Sequence, residues 1–254
     1  MQARERARAW RNAGHRAVCD SIESWEHGTV ARAGAYPRYF DFNVVRVEDD
    51  PGLAAPELHA FADHALAGLT HRRVDFDLID PADALRGEFE ARGWTTTRLL
   101  WLRHEQPEPE PEPEPEEAIV ESVPYDLAQP LRALWHLDFN EEGDADAYHA
   151  QAREVALRRK TEVLAVRKGR EPVAFVQLER DGSGAEITQV YVHPDHRGRG
   201  LGTTITRAAI GHAGDVEDLW ICADDEERAK DLYMRLGFVP AWTSMNFLLQ
   251  LAPG

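Results

Sequence analysis

The most informative segment of this chain is Gln189-Val-Tyr-Val-His-Pro-Asp-His-Arg-Gly-Arg-Gly-Leu-Gly202. It consists of an apolar β-branched run, a Pro-Asp turn and a glycine-rich loop that opens a helix. Glycines at positions 198, 200 and 202 let backbone N–H groups converge without obstruction, and the helix start adds unpaired N–H groups and its positive dipole end. We therefore expect the loop to hold a pyrophosphate.

Positive charge is concentrated around this loop in an otherwise acidic chain. Arg197 and Arg199 lie within it and two histidines lie nearby, an arrangement that a bound polyanion would explain. The alternative is an ordinary glycine turn with solvated arginines. The Gly-Lys-Ser/Thr pattern of nucleotide hydrolases is absent, and the loop follows several predicted strands rather than the first. Nucleotide hydrolysis and hydride transfer are therefore disfavoured.

A Pro-Glu alternation at residues 107–116 marks the clearest boundary in the chain. Such a segment cannot bury apolar surface, and its like charges repel, so we expect an extended tether. With 254 residues and 43% apolar content, the chain can form two cores. We predict a domain at 1–105, a linker at 106–117 and a second domain at 118–254.

The composition also limits the possible partners. A net charge of −16 argues against binding to nucleic acid or to an anionic membrane and favours a cationic partner, although the linker carries part of this charge. The two cysteines, Cys19 and Cys222, lack the spacing of a metal site or a disulfide framework. The chain has no long apolar run, and residues 1–14 are arginine-rich rather than signal-like. We predict a soluble cytoplasmic protein without a metal, as a monomer or homodimer.

Apolar periodicity in the C-terminal segment predicts alternating strands and helices and hence a mixed α/β (α+β) fold. The predicted strands are Ala118–Val123, Thr161–Arg167, Pro172–Glu179, Ala185–Val192, Asp218–Ala223 and Trp242–Leu251. The predicted helices are Pro124–Leu137, Asp144–Arg159, Gly200–His212 and Asp225–Leu236.

The N-terminal segment resembles the end of that series. If Gly93-Trp94 is aligned with Gly237-Phe238, then a predicted strand at Val74–Asp80 falls on Asp218–Asp224. A predicted helix at Pro56–Gly68 falls on residues 200–212 in the same alignment. This agreement indicates an internal repeat, and chance similarity between two α/β segments is the alternative.

Two segments together resemble the signature of the GNAT acetyltransferase superfamily: Val190-Tyr-Val-His-Pro-Asp-His-Arg-Gly-Arg-Gly-Leu-Gly202 and Ala229-Lys-Asp-Leu-Tyr-Met-Arg-Leu-Gly-Phe238. The resemblance covers residues 118–254. It implies a mixed, mostly antiparallel sheet flanked by helices. It also implies transfer of an acetyl group from acetyl-CoA to a primary amine in a ternary complex.

The resemblance assigns roles to individual residues. The CoA pyrophosphate would bind the loop and the helix start, namely Arg197, Gly198, Arg199, Gly200, Leu201, Gly202 and Thr203. Backbone groups of Val190, Tyr191 and Val192 would pair with the pantetheine arm and polarise the thioester carbonyl, as in an oxyanion hole. Tyr233 would protonate the departing thiolate. The alternative for Tyr233 is a packed helix tyrosine.

The attacking amine needs a base, because amines of the lysine type are mostly protonated at neutral pH. Glu186, eleven residues before Arg197, is the first candidate, and a water chain or a merely solvated carboxylate is the alternative. The acceptor is expected to be a small-molecule or peptide amine. A cationic acceptor would suit the acidic residues Asp138, Glu141, Glu142, Asp144 and Asp146, which otherwise form a solvated loop. Glu226 replaces an asparagine that many family members use to contact pantetheine.

The repeat alignment places Phe89 opposite Tyr233, and Asp49 to Glu57 opposite the pyrophosphate loop. The N-terminal half thus lacks both the proton donor and the converging amides. We predict a tandem protein whose first half is a degenerate, non-catalytic GNAT-like domain. The competing hypothesis is an acyl-CoA-binding regulatory module that performs no transfer.

Overall fold

The computed structural model describes residues 2–105, 118–139 and 145–251. The Pro-Glu linker and three of the acidic residues proposed near the acceptor, Glu141, Glu142 and Asp144, lie outside these ranges. The extended tether therefore stays a prediction.

The chain forms two compact units that are not a simple cut at the linker. The first unit takes residues 1–101, 223–227 and 241–254, and the second takes 102–222 and 228–240. The division differs from the predicted linear domains because two short C-terminal segments belong to the first unit. One of them is a strand that the first unit needs to complete its sheet.

The first unit is built on a mostly antiparallel sheet with three helices. Its helices are α1 (Ala3–Val18), α2 (Ala55–Ala65) and α3 (Ile79–Glu90). Its strands are β1 (Ser21–Trp25), β2 (Gly28–Arg32), β3 (Val44–Val47), β4 (His71–Phe76) and the first part of β5 (Thr95–His104). Strands β1, β2 and β3 pair antiparallel in sequence order, whereas β3 and β4 are parallel. On the other side of β4, Met245–Gln250 pair antiparallel with it.

The second unit is likewise built on a mostly antiparallel sheet flanked by helices. Its strands are β6 (Val120–Val123), β7 (Glu162–Lys168), β8 (Glu171–Asp181), β9 (Gly184–Val192), β10 (Asp218–Asp224) and the start of β11 (Phe238–Gln250). Its helices are α4 (Gln129–Phe139), α5 (Ala145–Arg158), α6 (Leu201–Ala213) and α7 (Ala229–Arg235). The order β10-β9-β8-β7-β6 is antiparallel except for the parallel pair β9 and β10.

Helices α4 and α6 cover opposite faces of the second unit's sheet. Tyr191 packs in an apolar cluster with Leu131 of α4, while the adjacent Val192 approaches the start of α6. Successive side chains of a strand point to opposite faces, so the two helices flank β9. The α/β fold class and its mostly antiparallel sheet are confirmed.

Most predicted elements are confirmed, and several boundaries were wrong. Helix α4 begins at Gln129 rather than at Pro124, because a short 3₁₀ helix occupies Tyr125–Ala128. The strand predicted at Val74–Asp80 is β4, which ends at Phe76 because the chain turns into α3 at Ile79. Helix α7 begins at Ala229 rather than Asp225, since the preceding residues form a turn in which the Glu226 amide donates to Asp224 Oδ1 at 2.8 Å. Strand β11 begins earlier than predicted, at Phe238.

Among the helices in the described ranges, none is long and apolar enough to cross a bilayer.

Candidate functional site

Strand β9 carries a β-bulge just before its end. Gln177 pairs with Thr188, whereas Phe175 pairs with Tyr191, so β9 has one extra residue in this interval. Gln189 has a φ of 47°, in the left-handed region that residues other than glycine rarely adopt. Gln189 and Val190 stand outside the register with β8. A bulge of this kind re-aims the backbone groups of the residues beside it.

Beyond the bulge, β9 also separates from its other neighbour. The parallel pairing with β10 runs from Gly184 opposite Asp218 to Ile187 opposite Ile221 and stops there, although β9 continues to Val192. The end of β9 therefore has a backbone edge that is not part of the β10 ladder. Such an edge can accept an extended ligand in the way that another strand would pair with it.

The loop after β9 leads into a helix that no side chain caps. Gly198 and Gly200 have φ values of 74° and 77°, which explains the need for glycine at both positions. The first helical hydrogen bond of α6 joins the Thr204 amide to Gly200 O at 3.0 Å. The amides of residues 201–203 thus precede the helical ladder, and within the described residues no side chain bonds to this helix start. Amides and dipole together favour an anion here.

Arg197 differs from the sequence-based expectation. Its amide donates to Pro194 O at 3.2 Å, so the group of converging amides begins at Gly198. Its guanidinium donates to Asp138 Oδ2 at 2.7 Å and to Val192 O at 3.1 Å, and lies 5.3 Å from the centre of the Tyr191 ring. The side chain is therefore bonded to the end of α4, whereas Arg199 is exposed on the loop.

Asp138 connects α4 to this loop. Its Oδ2 accepts hydrogen bonds from both Tyr191 Oη and Arg197, each at 2.7 Å. These bonds, from Tyr191 first and then from Arg197, lower the pKa of Asp138, while burial and the bond to the carboxylate raise the pKa of Tyr191 to about 12. The carboxylate expected to contact a cationic acceptor thus holds the loop instead. Asp146 is exposed at the start of α5.

Tyr233 lies on α7 with its side chain buried, at 7% exposure. A Cβ added at Gly202 would stand 3.5 Å from Leu232 Cδ2 and 4.0 Å from Val192 Cγ2. Leu232, the residue before Tyr233, and Val192 at the end of β9 thus both lie beside the start of α6. The structure therefore places α7, the helix that carries Tyr233, near the glycine loop.

Glu186 lies earlier on β9, where the strand is still paired on both sides. Its Cα partners are Trp220 on β10 and Glu179 on β8, and its side chain is half-buried. Glu179 forms an ion pair with Arg159 at 2.6 Å. Glu186 therefore faces the same side of the sheet as Glu179 and stands three residues before the bulge.

Glu226 belongs to the first unit, where Arg86 Nη1 donates to its Oε1 at 2.7 Å. This hydrogen bond lowers the pKa of Glu226. The position that many family members use for pantetheine contact is therefore bonded to an arginine of α3.

Sequence reasoning missed two residues that hold the bulge, Arg132 of α4 and Gln177 of β8. Both donate to the side chain of Gln189. Their only sequence signal was a polar side chain within an apolar periodic pattern. In the described parts of the chain, no group of three or more His, Cys, Asp or Glu could hold a metal ion.

The bulge, the loop, α6 and α7 all fall within residues 128–238, which match the Acetyltransferase (GNAT) family. This segment of the chain is therefore a GNAT domain. The acyltransferase class of that family therefore applies to the second unit.

Known GNAT proteins agree with this assignment. An uncharacterized N-acetyltransferase of Methanocaldococcus jannaschii is 37% identical to this chain over 70 residues. The match covers 24% of this chain and 30% of that relative's length. A GCN5-related N-acetyltransferase from Kribbella flavida has a TM-score of 0.64 at 16% identity, over 100% of this chain and 97% of its own. A tandem GNAT protein from the clavulanic acid biosynthesis pathway has a TM-score of 0.53 at 15% identity, over 96% and 88%. The two structural likenesses establish the fold of the chain.

Proposed function

We propose that the second unit transfers an acetyl group from acetyl-CoA to a primary amine by direct attack in a ternary complex. The observation that carries this proposal is the uncapped start of α6 directly after a strand end that has left its neighbour. The pyrophosphate would bind the amides of residues 198–203. The pantetheine arm would then lie along Val190, Tyr191 and Val192.

The bulge would supply the backbone N–H that stabilises the negative charge formed during the reaction. As the neutral amine attacks the thioester carbon, negative charge develops on the carbonyl oxygen. The Val190 N–H, which stands outside the β8 register, would donate to that oxygen. Collapse of the tetrahedral intermediate re-forms the carbonyl, breaks the carbon–sulfur bond and leaves an amide and a CoA thiolate.

Tyr233 would return a proton to the thiolate. A phenol with a pKa near 10 is a weaker acid than a thiol with a pKa near 8.5, so the transfer requires close placement rather than strong acidity. The contact of the neighbouring Leu232 with Gly202 supports such placement. The proton lost by the amine would pass to Glu186, either directly or through water.

The acceptor would be a small-molecule or peptide amine, and the net charge of −16 supports a cationic one. We propose that the first unit is a degenerate GNAT-like domain without catalysis. The protein would act in the cytoplasm as a monomer or homodimer, without binding nucleic acid or membranes.

The experiment is to measure free thiol released from acetyl-CoA with a panel of amines that includes polyamines, amino-acid amides and lysine peptides. Release that depends on one class of amine would support the proposal. A thermal shift with CoA but no thiol with any amine would instead support a binding module without transfer.

Glu186→Gln separates the two routes for the amine proton. If Glu186 is the base, turnover falls about tenfold or more and the acid limb of the pH–rate profile disappears. An unchanged profile would assign this proton to a water chain and remove Glu186 from the mechanism.

A further inference from the structure

The bulge of β9 places a glutamine in a backbone conformation that glycine normally adopts. At a φ of 47°, the Cβ of Gln189 comes close to the following carbonyl oxygen, which is unfavourable for every residue except glycine. A residue other than glycine keeps a left-handed backbone conformation only when the surrounding structure holds it there. The contacts of the Gln189 side chain therefore matter.

Two buried donors hold that side chain. Arg132 Nη1 donates to Gln189 Oε1 at 2.6 Å, and Gln177 Nε2 donates to the same oxygen at 3.0 Å. Arg132 is 1% exposed and Gln177 is 4% exposed. Burial of both donors strengthens these bonds, and the charge of Arg132 strengthens one of the two further.

The two donors come from different elements. Gln177 is on β8, the strand beside the bulge, whereas Arg132 is on α4, which covers that face. The Arg132 guanidinium is itself fixed over Tyr125, with its central carbon 4.4 Å from the ring centre. The bulge is thus held from a helix and from a strand through one amide oxygen.

We infer that Arg132 and Gln177 are positioning residues for acetyl transfer. They fix Gln189 and thereby set the direction of the next N–H, that of Val190. The inference rests on the proposed function, in which Val190 binds the thioester carbonyl. Neither residue touches the cofactor, because both act through the Gln189 side chain.

The test compares the binding of acetyl-CoA with that of S-ethyl-CoA in the absence of an acceptor. The two ligands differ in the carbonyl oxygen that Val190 would bind. Wild type should prefer acetyl-CoA about fivefold, the worth of one hydrogen bond. Arg132→Met removes the donor and keeps the apolar stem, so the preference should fall to within about twofold while the Kd of S-ethyl-CoA stays unchanged.

Arg153→Met is the matched control. Arg153 is a half-exposed arginine of α5 that pairs with Asp126. This control should keep the wild-type preference. If Arg132→Met does not fold, Gln177→Leu removes the other donor and should lower the preference in the same direction.

Glycine at the bulge gives a second test. In Gln189→Gly, the glycine adopts the left-handed φ at no steric cost and has no side chain for Arg132 and Gln177 to hold. Adding Arg132→Met to Gln189→Gly should therefore change the ligand preference by less than about twofold, a non-additive result. An equal further loss would show that Arg132 does not act through Gln189 and would overturn the inference.

The outcomes separate this inference from the proposed function. If wild type binds neither ligand, the proposed function fails and the inference fails with it. If both ligands bind and the variants keep the preference, the positioning role alone is wrong. If Arg132→Met weakens both ligands equally, Arg132 only supports the fold and the inference is overturned.

Discussion

Helices α2 and α6 each connect the two parallel strands of their unit, and they differ in how their first turns are capped. At α2, Glu57 Oε2 accepts a hydrogen bond from the Ala54 amide at 2.9 Å, and the preceding loop is held by its own Asp50, which accepts from the Gly52 amide at 3.0 Å. At α6, Gly200 begins the helix without such a cap. Among the described residues, a carboxylate lies at the first helix start and no capping side chain lies at the second.

The parallel strand pairs differ in the same way. Strand β3 pairs with β4 up to its last residue, Val47, whose carbonyl also accepts from the Asp77 amide at 2.8 Å. Strand β9 leaves β10 well before its own end. Phe89 in the first unit lies fully buried among aromatic rings, where Tyr233 stands in the aligned position of the second. A common scaffold is thus closed by protein groups in one unit and open in the other.

The strongest test of this comparison moves the cap of α2 onto α6. Thr203 occupies the position in α6 that Glu57 occupies in α2, so Thr203→Glu would bond to the Gly200 amide and place a carboxylate beside the diphosphate. We expect the Kd of CoA, measured by calorimetry, to rise about 100-fold or more, since like charges at short range cost several kcal/mol. The melting temperature should stay the same or rise.

Thr203→Gln is the neutral control for this substitution. It should weaken CoA much less, because it adds the same bulk without the charge. Equal loss of affinity in both variants would mean that bulk rather than charge closes the site, and an unchanged Kd in both would break the comparison between the two helix starts.

The second test removes the hydroxyl that distinguishes Tyr233 from Phe89. Tyr233→Phe should lower kcat about 100-fold, within the usual range for general acid catalysis, while the Kd of CoA remains within about twofold. Steady-state turnover and calorimetry give the two quantities. Undiminished turnover would exclude Tyr233 as the proton donor.

A smaller effect is expected from the contact that holds the open loop. Asp138→Asn weakens the bonds to Tyr191 and Arg197, and the Kd of CoA should rise about threefold, since a partly exposed ion pair contributes little. The pKa of Asp138 is lowered, so this contribution is complete at neutral pH and is lost only as the pH falls through the depressed value. Tighter CoA binding would instead indicate that Asp138 withholds Arg197 from the phosphates.

The smallest effect is expected at the closed helix start. Glu57→Ala removes the hydrogen bond to the Ala54 amide and should lower the free energy of unfolding by about 1 kcal/mol or less in urea. The CoA stoichiometry should remain one per chain, because the first unit lacks the other parts of the site. Glu88→Ala, an exposed residue of α3, should leave stability unchanged, and a second CoA site in Glu57→Ala would contradict the degeneracy of this unit.

Local patterns in the sequence predicted most of the second unit. Apolar alternation indicated β7 to β10, and the glycine loop indicated the start of α6, because both signals depend on neighbouring residues. The bulge had no such signal, since Gln189 is held by Arg132 and Gln177 from other elements. The engagement of Arg197 by Asp138 was missed for the same reason. In the first unit, the turn after Phe76 shifted β4 from its predicted place.

The first unit can complete its sheet only after Met245–Gln250 have been synthesised, because they pair with β4. During translation β4 leaves the ribosome long before the strand that covers its edge. At about 5–20 residues per second, the wait is on the order of ten seconds. Throughout that interval the nascent chain exposes an unpaired edge to other extended chains. A fragment that ends at the Pro-Glu segment lacks Met245–Gln250 and would keep this edge of β4 unpaired, so the first unit must be expressed together with the C-terminal part of the chain.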